Sequence, residues 1–281
     1  MKKILLTVFT LVAILALAAC GGDKKETSDK ETGKKETTKL VVGASNVPHA
    51  EILEEAKPLL EKEGIELEIV TFQDYILPNK ALENKELDAN YFQHVPYLES
   101  QIKDFGYKFV NAGGIHIEPI GVYSKKHKSL DDLPKGATVI MSNSVADHGR
   151  MLSLLQAEGL IKLKDGVDQT KATVADIAEN KKELKFKTDI EAGLLPKAYQ
   201  NNEGDAVLIN TNYAIDAGLN PMEDAIALEG SESPYVNIIT VREGDEKKDS
   251  IDKLVKVLHS DEIQDFIKSE YKGAVVPVSG H

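Results

Sequence analysis

Short apolar runs and amphipathic stretches alternate from Lys39 to Tyr271, and few architectures can use that order. "KLVVGAS" (Lys39–Ser45) reads as a buried strand. "HAEILEEAKPLLEKEG" carries apolar residues at helical spacing until Gly64 stops it. "IELEIVTF" (Ile65–Phe72) is a second strand, "PNKALENKE" a helix opened by Pro78, and "LDANYF" a third strand followed by a helix through Phe105. "KFVNAGGIHIEPIGVYS" is extended but broken by glycines and Pro119. After a polar break at "KKHKS" (Lys125–Ser129) a second series begins: strand "ATVIMS", helix "GRMLSLLQAEG", strand "ELKFKT", helix "EAGLLPKAYQ" and strand "DAVLIN". "VNIITVRE" (Val236–Glu243) then leads into helices near Asp252–Leu258 and Asp261–Tyr271. Alternation of this kind predicts open sheets covered by helices on both faces, an α/β fold. Two series around a break predict two lobes.

The first 19 residues predict the compartment. Lys2 and Lys3 precede "ILLTVFTLVAILALAA", and Cys20 follows. A positive start, a short apolar run and small residues before a cut site describe a secretory signal; the run falls short of the about 20 apolar residues of a comfortable membrane span. Cys20 is the only cysteine, so no intramolecular disulfide can form. Residues 20–38, lysine and acid with no large apolar side chain, predict a flexible tether reaching on the order of 25 Å. The chain carries a formal net charge of −12, and its leader is basic, so the mature body is more acidic still. Nucleic acid, which demands a basic face, is excluded as a partner.

Ligands of open α/β sheets sit beyond the carboxyl ends of the strands. At those places stand Ser45-Asn46, Gln73-Asp74-Tyr75, Gln93-His94, Asn143-Ser144 and Thr211-Asn212. Any one of these reads equally well as a turn or a helix cap; five in register suggest a site. Reaction chemistry is not visible. "GASNV" fails the last position of G-x-S-x-G, and phosphate-loop, dinucleotide and H-E-x-x-H patterns do not occur. The seven histidines, among them His49, His94, His116 and His148, are scattered singly, so a metal would need ligands that converge only in space. The chain is expected to be no enzyme, without cofactor or metal.

What remains is recognition. Arg150 stands in a helix after a strand, where a guanidinium and a helix N-terminus suit a carboxylate. Asn212 and Asn237 flank strand ends, and an amide both donates and accepts, which suits a zwitterion. Tyr75, Phe92 and Tyr97 would supply an apolar wall. Each keeps a plainer alternative: a surface ion pair, a cap, a core aromatic.

"DANYFQHVPYL" (Asp88–Leu98) resembles the signature of the methionine-binding lipoproteins, the NlpA family, which serve methionine ABC importers as substrate-binding components. "DYILPNKAL", "IGVYSKK", "LINTNYAIDAGL" and "YVNIITVRE" match in the same order, and the resemblance covers Lys39 to the C-terminus. "LAAC" resembles a lipobox, which implies lipidation at Cys20. The resemblance implies a two-lobed, periplasmic-binding-protein-like fold with its ligand cleft between the lobes, closing by hinge bending. Residues 39–124 and 236–281 would form lobe I and 125–235 lobe II, with crossovers near Val122–Lys126 and Ser231–Val236. It implies a thioether pocket of Tyr75, Phe92, His94 and Tyr97, a carboxylate partner in Arg150, and amino and carboxylate contacts from Asn212 and Asn237. It further implies an amino-acid ligand, an ABC permease with its ATPase subunit as partners, and a lipid anchor on the extracytoplasmic face of the cell membrane.

One stretch departs. Where the family reads close to N-D-P-[ST]-N-x-x-R, this chain has "NSVADHGR", Asn143–Arg150. Asp147 is then either a helix-capping aspartate or a ligand contact whose charge favours a substrate with an extra donor. A receptor for a methionine-containing dipeptide or another amino acid, a metal-binding lipoprotein built around His94, and an adhesin or signalling lipoprotein stay open beside the methionine reading.

Overall fold

The computed structural model describes residues 37–230 and 232–279; the signal, Cys20 and nearly all of the tether lie outside the described residues. Among the described residues no helix is long and apolar enough to cross a membrane. The strands are β1 (Thr38–Ser45), β2 (Ile65–Phe72), β3 (Ala89–His94), β4 (Phe109–Ile117), β5 (Gly121–Tyr123), β6 (Thr138–Ser142) and β7 (Ile161–Leu163). They continue with β8 (Ile177–Asn180), β9 (Lys185–Ile190), β10 (Ala206–Ile209), β11 (Ala227–Leu228), β12 (Val236–Arg242) and β13 (Val276–Pro277). The helices are α1 (Glu51–Lys62), α2 (Leu77–Glu83), α3 (Val95–Phe105), α4 (Val145–Ala157) and α5 (Leu195–Gln200). After them come α6 (Thr211–Asp216), α7 (Pro221–Asp224), α8 (Asp249–Leu258) and α9 (Asp261–Tyr271).

Two larger sheets form, in the orders β13-β4-β12-β3-β1-β2 and β11-β5-β10-β6-β9, with β7 and β8 as a separate pair. The fold is thus a two-lobed α/β body. In β1, Leu40, Val42 and Ala44 face the core under α1, α8 and α9, while Val41 faces the cluster under α2 and α3. In β6, Val139 and Met141 pack against α4, and Ile140 against α5 and α6. Successive strand residues point to opposite faces. Because both faces are covered, these strands read as continuous apolar runs. The edge strand β2 instead alternates at its start, with Glu66 and Glu68 outward.

The chain passes from the first sheet to the second between Ile117 and Gly121, earlier than the crossover at Val122–Lys126 that the resemblance implied. The cause is local: β5 pairs with β10 and β11. The return falls between Leu228 and Val236. The pairs β7–β8, β11 and β13 are too short to leave a period in the sequence. α4 begins at Val145, a turn before the apolar spacing does, so the departing stretch is its first turn. Gly149 lets α4 lie close to its neighbour: a Cβ there would stand 2.2 Å from the Gln169 carbonyl oxygen.

Candidate ligand site

β3 ends at His94, and α3 starts at once with Pro96 in its first turn. His94 caps that helix: its Nδ1 accepts the Tyr97 N–H at 3.1 Å. The cap fixes the tautomer, so Nε2 carries the proton and donates to Asp147 Oδ1 at 3.0 Å. Tyr97 in turn donates its hydroxyl to the Tyr75 carbonyl at 2.8 Å. The rings of Tyr75, Phe92 and Tyr97 stand 6.0–6.2 Å apart, and Tyr213 approaches Tyr75 to 4.9 Å. Together they form an apolar wall with one polar edge.

Facing it, α4 supplies Asp147 and Arg150, both buried. Asp147 is no solvent-facing cap. Burial opposes its charge, but the bond from His94 and the guanidinium of Arg150 outweigh it and hold its carboxyl below the ordinary range. Arg150 is gripped from behind. Its Nε donates to Glu229 at 3.1 Å, its Nη2 donates to Glu229 and to the Glu118 carbonyl (2.6 Å), and Tyr235 lies 4.7 Å under the guanidinium. Nη1 is left facing Asp147 at 4.0 Å.

The third wall joins the lobes. Tyr75 donates to Asn212 Oδ1 at 2.7 Å, and His49 Nε2 to Asn237 Oδ1 at 3.0 Å. Glu118, in the passage between the sheets, accepts from His116 Nε2 (2.8 Å) and the Asn212 N–H (3.0 Å), with His49 Nε2 at 3.2 Å. Burial works against ionised Glu118, but the nearby His49, the hydrogen bond from His116 and the Arg150 guanidinium outweigh it, so it is held below the ordinary carboxylate range. Burial pushes His49 down to about 4. An unfolded His49 takes its proton near 6.5, whereas the folded one refuses it until about 4. The unfolded chain therefore binds more protons in that window, and stability rises with pH across it. Acidification from pH 7 to 4 is expected to remove about 3 kcal/mol through this group, at about 1.4 kcal/mol per unit. Urea unfolding at pH 7 and 4.5 checks it; equal stabilities would contradict the burial of a neutral His49.

All seven residues singled out in the sequence, Tyr75, Phe92, His94, Tyr97, Arg150, Asn212 and Asn237, line one cleft. Gln93, Glu118, Asp147, Asn210 and Thr211 complete it. Of the five polar turns, Tyr75, Gln93-His94 and Thr211-Asn212 reach the cleft. The other two do not: Asn46 bonds Asp216, and the Asn143 N–H serves the β9 carbonyl of Ile190. Sequence reasoning missed Glu118, and Glu229 as the partner of Arg150. A buried acid inside the apolar run Ile115–Ile120 was the available signal, since a buried charge demands partners.

The metal alternative has a different address from the one the sequence suggested. His94 spends its nitrogens on a cap and on Asp147, whereas ligand atoms of His49, His116 and Glu118 lie within 4.8 Å of one another. Those three are the residues that would hold an ion. Their separations of 2.8 and 3.2 Å to one Glu118 oxygen are hydrogen-bond distances.

The family model described as NlpA lipoprotein matches residues 40–279. The chain is 52% identical over 281 residues to the methionine-binding lipoprotein MetQ of Bacillus subtilis, covering 99% of this chain and all of that protein. It is 43% identical to the D-methionine-binding lipoprotein MetQ of Salmonella typhi, covering 98% and 97%. A nutrient binding protein from Burkholderia cenocepacia, solved bound to methionine, superposes with a TM-score of 0.80 at 47% identity, covering 85% of this chain and 99% of that one.

Proposed function

We propose, from the premise that the chain belongs to the NlpA lipoprotein family, that it is the lipid-anchored substrate-binding protein of an ABC importer and that it binds methionine between its lobes. The carrying observation is the lining of the cleft, which combines an aromatic wall with Arg150 and two asparagine amides. The wall suits an unbranched thioether, and the polar groups suit the α-carboxylate and α-ammonium. Residues 39–124 with 236–281, and 125–235, are the lobes proposed to close on it, β5 being hydrogen-bonded to the second. The role read from this lining is transport. Delivery would be to a permease and its ATPase subunit from the extracytoplasmic face of the membrane. Mass spectrometry of the protein purified under native conditions tests the reading. A retained amino acid of methionine's mass is expected; a stoichiometric metal in its place would overturn it.

The anchor carries its own expectation. Cys20 is the chain's only thiol and follows "LAA", so Cys20→Ser is expected to release the exported protein from the membrane fraction. Variant protein that stayed membrane-bound would refute lipid anchoring at Cys20.

A second reading is favoured by Asp147, whose buried carboxylate lies on the cleft. A methionine thioether has no use for that charge, whereas the amino terminus of a methionine-containing dipeptide does. On that reading glycyl-methionine outcompetes methionine on the parent protein, and Asp147→Asn narrows the gap. A competition panel of methionine, glycyl-methionine and basic amino acids on both proteins decides. Methionine winning on the parent, with Asp147→Asn changing nothing, would leave Asp147 as the partner of His94 alone.

A further inference from the structure

We propose that Asn79 and Asn90 are positioning residues: with Gln93 they close a buried amide cluster that sets where Phe92 and Tyr75 stand, and so how the aromatic wall fits a ligand side chain. This rests on the reading of that wall as a methionine side-chain pocket and reaches behind it, to two residues outside the cleft lining. Asn79, Asn90 and Thr240 are 0% exposed and Gln93 2%. Gln93 is the hub. Its Nε2 donates to Asn79 Oδ1 and Asn90 Oδ1, both at 2.9 Å, with Thr240 Oγ1 at 3.2 Å, and its Oε1 accepts from Asn79 Nδ2 at 3.1 Å. Asn90 Nδ2 closes the ring on Asn79 Oδ1 at 2.9 Å. Buried amides carry a desolvation cost that apolar side chains avoid. What a fully paired set gives in return is a single fixed arrangement.

What the cluster fixes is an irregularity in β3. Along its ladder with β12, Gln93 stands opposite Ile238 and Tyr91 opposite Ile239, which leaves Phe92 as an extra residue, a β-bulge. Strict alternation would put Asn90 and Gln93 on opposite faces of the strand. The extra residue brings them to one side, where their amides bond each other. Tyr91 stays in the core beneath α1, and Phe92 is free to line the cleft. A β3 without the bulge could not place all four side chains so, and the amide bonds hold the bulged form. The same cluster reaches Tyr75 through α2. Asn79 lies in the first turn of that helix, and Asp74 Oδ1 accepts the Ile76 and Leu77 N–H groups at 2.7 and 2.8 Å, so Tyr75 sits in a tight turn that ends on Asn79. Asn90 Nδ2 also approaches the Pro78 carbonyl at 3.4 Å, which ties that turn to β3. Two rings of the wall, one on each element, are thereby set from a common point.

The test compares methionine with alanine, which has the same charged groups and no side chain to reach the wall, by displacement titration on the full chain and on Asn79→Ala. Burying a methionine side chain is worth roughly ten- to a hundred-fold in affinity, and a displaced wall should forfeit about ten-fold of it. Methionine is therefore expected to weaken by that factor while alanine binds variant and parent alike. A merely structural role would not move the ratio of the two affinities, because a partly unfolded sample binds every ligand less. Asn79→Ser is the milder variant, keeping a hydroxyl that can donate and accept, and should shift the ratio in the same direction by less; it decides the matter if Asn79→Ala does not fold. A ratio equal to the parent's in the folded variants would overturn the positioning role and leave the methionine reading intact. A parent that binds methionine no better than alanine would overturn the side-chain pocket itself.

Discussion

Arg150→Ala is expected to cost both fold and function. The guanidinium is buried, and its removal leaves Glu229, Glu118 and Asp147 without their shared cation. Breaking a buried pair from one side costs roughly 3–5 kcal/mol, and at about 2–4 °C per kcal/mol in a chain of this size the melting temperature should fall by some 6–20 °C. Methionine affinity should fall at least about ten- to a hundred-fold, the usual worth of a charged hydrogen bond. Arg150→Lys separates the two roles. One ammonium can pair with Glu229 but cannot also reach across to a ligand as the planar fork does. Lysine should therefore recover more stability than affinity. Calorimetric melting and titration of both variants check this, and an Arg150→Ala protein that binds like the parent would place the cleft's anion pole elsewhere.

Asn212→Ala should leave the melting temperature nearly unchanged and still weaken methionine binding by about ten- to a hundred-fold. Among the described residues its side chain bonds only Tyr75. Tyr75→Phe frees the amide to rotate and is expected to cost less. In the Asn212→Ala background it should cost little more, because the bond it removes is already gone. Additive losses in the double variant would mean that Tyr75 acts on the ligand directly and not through Asn212.

Much of this was legible in the chain because burial leaves a period. β2 was expected over Ile65–Phe72 and lies there, since its outward Glu66 and Glu68 break the apolar run in strict alternation. The start of α4 was not legible. "NSVADH" has no apolar spacing, and only the packed geometry shows that Asp147 is in its first turn. The seven cleft residues were readable as polar or aromatic groups at strand ends, a position where α/β sheets expose side chains. The roles behind them were not. His49 and His116 lie far apart in the chain and meet only when β4 and the segment after β1 pack together. Glu229 finds Arg150 from a loop with no pattern of its own, and no spacing announces a pair of that kind.

One methionine is expected in the cleft between the sheets, held by Arg150 and the two asparagines. Isothermal titration of the purified protein with methionine tests it most directly. One saturable site per chain is expected, with affinity lost in Arg150→Ala and Asn212→Ala; no heat with methionine, or unchanged affinity in both variants, would contradict this assignment.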